Sequence, residues 1–365
     1  MRKSLILNLY STIFIRTFIT TTAQRMRAVQ LKAFGGPEQL YVDSNVPVPE
    51  LSSADHVLIR VVATALNRAD TLQRKGSYAA PKGESDILGL EASGIIDTVG
   101  SNVKDFRVGD KVMALLGGGG NAEYVSVHKY QLMRVPEGMD LVTAAGIPEA
   151  WLTSYQLLHF VGKIKPGETV LIHAAGSGVG TAAIQLAKGV ENTTVIATAG
   201  TAEKLARAKE LGADVLVNYK EADFSEVVQK ETNGRGVDVI LDPVGASNWE
   251  KNANSLALDS RWVLYGLLGG ARIDGSLLGR LLGKRAQLVG TTLRTRSLEY
   301  KKELVHAFQS SSLHKFTSKQ YHPIIDSVTT LEKVAEAHQR MESNVSSGKI
   351  IMKVSEEAEQ KKSEL

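Results

Sequence analysis

The segment Thr169 to Val190, TVLIHAAGSGVGTAAIQLAKGV, places a strand, a glycine-rich turn and a helix in immediate succession. The apolar, partly β-branched run from Thr169 to His173 suits a strand covered on both faces. Val179, Ala183, Leu186, Ala187 and Val190 then recur at helical spacing, which gives the helix one apolar face to lay on a sheet. Between them, small residues let a pyrophosphate approach the backbone, and the free N–H groups of the helix start carry partial positive charge. The match to G-x-G-x-x-G is degenerate, because Ala175 and Ser177 take the first two glycine positions and only Gly180 fills the third. A tight turn without a ligand fits this segment too. The pattern around it has to decide.

Beyond the turn the alternation of strand and helix continues. TTVIATA (193–199) is strand-like, and AEKLARAKELGA is helical, with Leu205, Ala208 and Leu211 on one face and Gly212 as its C-terminal cap. DVLVNY, a polar helix at about 222–232, VDVILDPVG, a helix near 248–257, RWVLYGLLGG and QLVGTT complete the series. This order predicts a parallel, doubly wound sheet of the Rossmann type, the context in which the turn becomes a nucleotide site. From Met26 to about Trp151, short β-rich runs (MRAVQLK, HVLIRVVATAL, GIIDTVG, KVMALL, AEYVSV) predict an all-β or barrel-like unit. Gly117 to Gly120 read as a hinge or loop within it. Pro148 to Phe160 reads as a helix at the boundary. After Thr292, a helix at about 297–312, LEKVAEAHQRMES and a final strand GKIIMKV suggest a return to the first unit. The expected division is 26–150, 151–292 and 293–354.

A chain of 365 residues accommodates two such domains. It has no cysteine, so disulfides and thiolate zinc sites are excluded, and its eight His show no close pair at ligand spacing, so no metal is expected. No apolar run approaches the roughly 20 residues of a membrane span. The net charge of +4 resides in residues 1–25, which hold Arg2, Lys3, Arg16 and Arg25 and no acid. The rest is neutral, which argues against a nucleic-acid surface. That first segment, rich in Arg, Ser and Thr among Leu, Ile and Phe, has the composition of a mitochondrial transit peptide. A secretory signal, or an extension before a start at Met26 in a cytoplasmic protein, are the alternatives. Residues 355–365 form a polar tail expected to be disordered, whose last residues match neither a peroxisomal nor a luminal retrieval signal.

A site selective for NAD places a carboxylate about 20 residues beyond the first glycine position, to receive the ribose 2′-OH. No acid lies between Glu191 and Glu203, and TAGTAEKL places Thr201 and Lys204 just past that point. A hydroxyl and an ammonium there would bind a 2′-phosphate, so the expected cofactor is NADPH. Taken alone, Lys204 also reads as a solvated residue on a helix face.

From Met26 to about Val354 the chain resembles the zinc-free quinone oxidoreductases of the medium-chain dehydrogenase/reductase superfamily. The resemblance rests on LNRADTLQRKGSY (66–78), LGLEASG (88–94), VGDKVMALL (108–116), AAGIPEAWLTSYQLL (144–158), AAGSGVG (174–180) and RWVLYGLLGG (261–270). It implies a GroES-like β-barrel domain, built from both ends of the chain, around an inserted Rossmann domain. It also implies NADPH-dependent reduction of quinones and a homodimer. Zinc enzymes of the superfamily carry a ligand Cys where Asn67 stands and a ligand His where Leu90 stands. By motif match, Ser177, Gly178 and Val179 would contact the pyrophosphate with Thr153 close by. Thr201, Lys204 and Tyr219 would hold the 2′-phosphate region, Gly266 and Leu267 would line the nicotinamide, and Asn67 and Tyr78 would face the cleft near the hydride. Read without the family, Tyr78 is also a loop aromatic, Asn67 a turn cap and Tyr219 the end of a buried strand; Asp70 is expected to orient its loop rather than donate a proton. Two other functions compete: an NADPH-dependent enal or enoyl reductase, with Tyr78 as proton donor, and an NADPH- or RNA-binding protein with little turnover.

Overall fold

A computed structural model describes residues 24–356. The expected leader lies outside the described residues except for Gln24 and Arg25, and Arg25 already opens the first strand. The tail expectation likewise falls almost wholly outside them. In chain order the first domain contributes β1 (Arg25–Leu31), β2 (Leu40–Pro47), β3 (His56–Ala65), β4 (Glu91–Val99), β5 (Lys111–Leu115), β6 (Tyr124–His128) and β7 (Leu132–Arg134). The second contributes β8 (Thr169–Ile172), β9 (Thr194–Ala199), β10 (Val215–Asn218), β11 (Val237–Asp242), β12 (Leu256–Leu264) and β13 (Gln287–Gly290), and β14 (Ile325–Thr330) and β15 (Lys349–Lys353) follow.

The second domain is a six-stranded sheet in the order β10-β9-β8-β11-β12-β13, parallel throughout. That is the 3-2-1-4-5-6 order of a doubly wound dinucleotide fold, with β8 as its first strand and the crevice beside it at the point where strand order reverses. The barrel sheet runs β14-β15-β3-β4-β5-β7, with β6 also pairing β3, so the chain's last strands rejoin its first domain. β15 pairs antiparallel with β3, bringing Ile351 opposite Ala65 and the start of β15 beside the residues that follow β3.

The sequence pattern misses three features of packing. The helix Gly178–Lys188 has no free face: Gly180 to Ala187 are all buried, because the helix Pro148–Tyr155 covers the side away from the sheet. Of the two readings of Gly117 to Gly120, hinge or loop, the structure shows a loop, and its burial is what the sequence did not reveal. All four are buried, and a Cβ on Gly118 would collide with the Ser85 carbonyl oxygen, so glycine is required there by close backbone packing. Two helices run on through π-helical turns, Pro148–Tyr155 into Gln156–Val161 and Leu298–Phe308 into Gln309–Leu313. The Tyr155 and Phe308 rings pack edge to face, centroids 5.7 Å apart, where these helices meet.

One hydrophobic core bridges the domains. Met113, Leu115 and Met133 of the barrel pack in the same cluster as Trp151, Val170, Ile172 and Phe308. The joint between barrel and sheet is therefore closed by apolar contact.

Candidate functional site

The glycine turn begins where β8 ends. Ser177 is the N-cap of the helix Gly178–Lys188, its hydroxyl accepting from the Gly180 N–H at 2.9 Å. The degenerate fingerprint has a steric explanation. A Cβ on Gly180 would collide with the Ala174 carbonyl oxygen, so the third glycine is indispensable. The other two glycines stand at 176 and 178, where a Cβ would press on the Lys204 and Lys349 side chains. The turn is also stitched to the barrel domain, since Gly348 N donates to Gly176 O at 2.8 Å and Ser177 pairs with Gly348.

Thr201 and Tyr219 flank Gly200, at the carboxyl ends of β9 and β10, while the Lys204 side chain lies against Gly176 of the glycine turn. Thr201 caps the helix Ala202–Glu210. The Lys204 ammonium donates to the Asn344 carbonyl at 2.6 Å, and partial burial lowers its pKa. Tyr219 is half exposed, with its ring against Gly200, so it is not the end of a buried strand. Lys220 also lies beside Gly200, a second cation that sequence reading passed over although it adjoins Tyr219.

Gly266 and Leu267 belong to a loop interlocked with the turn after β11. Tyr265 N donates to Asp242 O, Leu268 N to Pro243 O and Gly269 N to Val244 O, at 2.7–3.0 Å. A Cβ on Gly266 would lie 2.8 Å from Pro243 O. Beneath them Asp242, fully buried, accepts from Val244 N, Gly245 N, Asn252 Nδ2 and Trp262 Nε1. His173 joins Thr198 and Asn252 to this network, and burial lowers its pKa, which keeps the imidazole neutral. Both loops thus rest on a saturated carboxylate.

Asn67 and Tyr78 come from the helix that follows β3 and the loop beyond it. Asp70 reaches back to the Asn67 N–H at 2.7 Å and across to the Gly89 N–H at 2.9 Å. It orients the loop as expected, and burial pushes its carboxyl up to about 6. The Asn67 side-chain amide is held on the other side of the loop. It donates to Ala65 O and Glu91 Oε1 and accepts from Lys349 Nζ at 2.7 Å.

Lys349 stands at the centre of this arrangement. Its ammonium is held by Leu66 O at 2.9 Å, Asn67 Oδ1 and, at 2.7 Å, Glu91 Oε1, with Lys349 and Glu91 both buried. One carboxylate, one amide oxygen and one backbone oxygen around an ammonium do not suit zinc, which takes thiolate, imidazole or carboxylate donors in a tetrahedron. Among the described residues no cluster of three or more His, Cys, Asp or Glu is placed to hold a metal. The other Glu91 oxygen accepts from Glu149 N at 2.9 Å. Glu149 has a buried Oε2 without a partner among the described residues, and burial, reinforced by the Glu91 charge, pushes its carboxyl up to about 8. Thr153 lies one turn further along the same helix, half-buried; its neighbour Ser154 donates to Val179 O and ties that helix to the glycine turn.

The structure therefore sets the sequence-derived residues in separate places: Ser177, Gly178 and Val179 at the turn, Thr201 and Tyr219 beside Gly200, Gly266 and Leu267 on the loop against Pro243, and Asn67 beside Lys349. Sequence reading missed Glu91, Glu149, Arg294 and Lys349. Glu149 and Lys349 were visible as charges inside apolar runs, IPEAWL and GKIIMKV, a signal of buried ionisable groups. Glu91 carried the same mark as the lone charge of ILGLEASGII, whereas Arg294, within TTLRTRS, had none.

A barrel domain and a doubly wound domain that share a cleft at a degenerate dinucleotide turn define a two-domain oxidoreductase. The zinc-binding dehydrogenase family model matches residues 178–310, and the alcohol dehydrogenase GroES-like domain matches residues 53–137. The human synaptic vesicle membrane protein VAT-1 homolog is 32% identical over 340 residues, covering 90% of this chain and 86% of that protein. Human quinone oxidoreductase is 30% identical over 336 residues, covering 92% and 99%. Among solved structures, that of Escherichia coli quinone oxidoreductase complexed with NADPH superposes with a TM-score of 0.77 at 28% identity, covering 90% of this chain and 99% of that one. The chain belongs to the medium-chain dehydrogenase/reductase superfamily. Among the described residues, no helix is long and apolar enough to cross a membrane.

Proposed function

We propose that this protein reduces quinones with NADPH and without a bound metal, and that within its superfamily it is most like the p53-inducible quinone reductase. The observation that carries the reading is the Lys349 ammonium bonded to Asn67 and Glu91, a fixed cation against Asn67, the position at which the family resemblance puts a ligand Cys in zinc enzymes. A quinone is already electrophilic, so its reduction needs alignment more than a Lewis acid. Supporting NADPH, Lys220 lies beside Gly200 and Lys204 beside Gly176 of the glycine turn, and no acid stands between Glu191 and Glu203 to receive a free ribose 2′-OH.

In this reading Ser177, Gly178 and Val179 hold the pyrophosphate at the helix N-terminus, with Thr153 beside them. Thr201, Lys204 and Tyr219 hold the adenosine 2′-phosphate, and Gly266 and Leu267 fix the nicotinamide face. A reduced nicotinamide bound there supplies the hydride. Asn67, held by three hydrogen bonds, and Tyr78 shape the opposite wall. Holding two planar rings together in a dry cleft is worth on the order of several kcal/mol in orientation.

The reading extends to a homodimer formed at the exposed edge of β13, to the barrel and Rossmann boundaries expected from sequence, and to mitochondrial import directed by residues 1–25. A screen of NADPH oxidation over ortho-quinones, para-quinones, enals and enoyl thioesters tests the chemistry. Quinone turnover is expected; oxidation by enoyl thioesters alone, or none with a salt-sensitive RNA shift, overturns it. Imaging the full chain beside one starting at Met26 tests import, which fails if both stay cytosolic.

A further inference from the structure

Arg294 is 3% exposed, yet one end of its guanidinium has no partner among the described residues. Nε donates to Gly117 O at 2.8 Å and Nη2 to Gln73 Oε1 at 2.8 Å, while Nη1 is buried and unbonded. A buried, unsatisfied N–H on a charged group is costly, and native structures rarely keep one without a use. The two bonds that are made fix the plane of the group, so the free nitrogen has one direction only.

Its position is set by both domains. Thr291 N donates to Leu264 O, so the chain after β13 runs beside the end of β12, immediately before the Gly266 loop. Arg294 then crosses to the barrel side, where its guanidinium lies over the Tyr78 ring at 5.4 Å. Charge around it is not cancelled at short range. Lys301 is 4% exposed and forms no ion pair among the described residues, and neither Glu84 nor Glu149, which act on it from a distance, pairs with Arg294. The carboxyl of Glu149, with its unpartnered Oε2, acts electrostatically on both Tyr78 and Lys301.

We infer that Arg294 is the anchor for the oxygen of the electron acceptor: its free Nη1–H donates to a substrate carbonyl oxygen while Tyr78 supports the substrate ring. The inference rests on the quinone reading and deepens it. As the reduced nicotinamide delivers two electrons and a proton as hydride, the quinone is reduced and negative charge collects on an oxygen. A fixed guanidinium N–H in a dry site stabilises that charge without reorganising, and solvent supplies the second proton. The same donor binds the carbonyl before transfer, so its loss is read in both KM and kcat.

The test compares wild type with Arg294→Ala and Arg294→Lys. Lysine keeps the charge but lacks the second nitrogen. Both variants are expected to lose roughly 100-fold in kcat/KM for 1,4-naphthoquinone, the scale of removing one such donor. NADPH affinity, measured by fluorescence, stays within about twofold, since the group lies away from the phosphate corner. Added guanidinium restores part of the activity of Arg294→Ala, which loss of a merely structural group would not allow. Calorimetric binding of 1,4-dihydroxynaphthalene in the presence of NADP+, where no net reduction runs, weakens in parallel. Should a variant fail to fold, Tyr78→Leu, which removes the ring and leaves both anchoring bonds, is expected to raise KM for the quinone. Unchanged kcat/KM and product binding in the folded variants overturn the inference and leave the quinone reading standing. Wild-type protein that binds NADPH and oxidises it with no quinone overturns the quinone reading itself.

Discussion

At the scale of single residues, the two ends of the crevice make different demands on charge. Lys204 is tied to Asn344 O across the domain boundary, so a 2′-phosphate would draw it from a neutral oxygen to a doubly charged one. Lys204→Ala is expected to weaken NADPH roughly 10- to 100-fold, the worth of one or two charge-assisted bonds, and NADH by less than about twofold. Equal losses of the two in a fluorescence titration would remove Lys204 from the phosphate site. Glu149 makes a prediction about pH. Its carboxyl is raised to about 8 in the folded protein from an ordinary 4.5, so the folded state binds its proton more tightly. The stability this gives is complete below the ordinary value and is lost as pH rises through about 8, with Asp70 adding the same sign between its ordinary 3.8 and about 6. Glu149→Gln should therefore melt above wild type at pH 9, with the gap narrowing toward pH 5. A gap independent of pH would show that the carboxyl does not titrate in this window.

At the scale of elements, the glycines separate close packing from simple permission. Gly118 is buried against the Ser85 carbonyl, a backbone atom that cannot rotate aside, so Gly118→Ala should cost roughly 1–3 kcal/mol in a denaturant titration. Gly279 lies inside the helix Leu277–Lys284 with open space, nothing within 4 Å, where a Cβ would stand, so Gly279→Ala should stabilise by roughly 0.5–1 kcal/mol. Reversed signs would mean that local geometry differs at both places. The same contrast explains what could be read beforehand. Strand and helix alternation from Thr169 onward was legible because each βα unit repeats the same burial demand, and TVLIHAAGSGVG already marked the crevice. The four-glycine run reads only as a hinge or loop in sequence, its burial hidden, because its partner, Ser85, lies far away along the chain and is unmarked by composition. Ser177 and Lys204 were legible as local motifs beside a turn. The pairing of Lys349 with Glu91 and the placement of Arg294 against Gly117 were not, because the first is made through the β15–β3 pairing and the second through the closure of one domain on the other.

At the scale of the whole molecule, the sheet is unfinished. β13 is an edge strand whose residues Gln287, Leu288 and Gly290 are exposed, and the neighbouring helix shows Leu278 and Leu282 at 82% and 81% exposure. Those two leucines are four residues apart and lie on one helix face, so they form a stripe rather than scattered contacts. An unprotected edge beside such a stripe invites strand pairing, and pairing with a second copy about a two-fold axis uses the same surface twice. The two sheets would then join edge to edge through β13, burying both pairs of leucines. That surface lies away from the Gly200 corner, so the dimer is expected to leave the cofactor affinity of each subunit intact. Leu278→Lys combined with Leu282→Lys should yield a folded monomer by light scattering, with NADPH binding preserved to within about twofold. A double variant that remains dimeric would place the interface elsewhere. Wild-type protein that is monomeric at micromolar concentration would leave β13 as a tolerated edge and remove the homodimer from the reading.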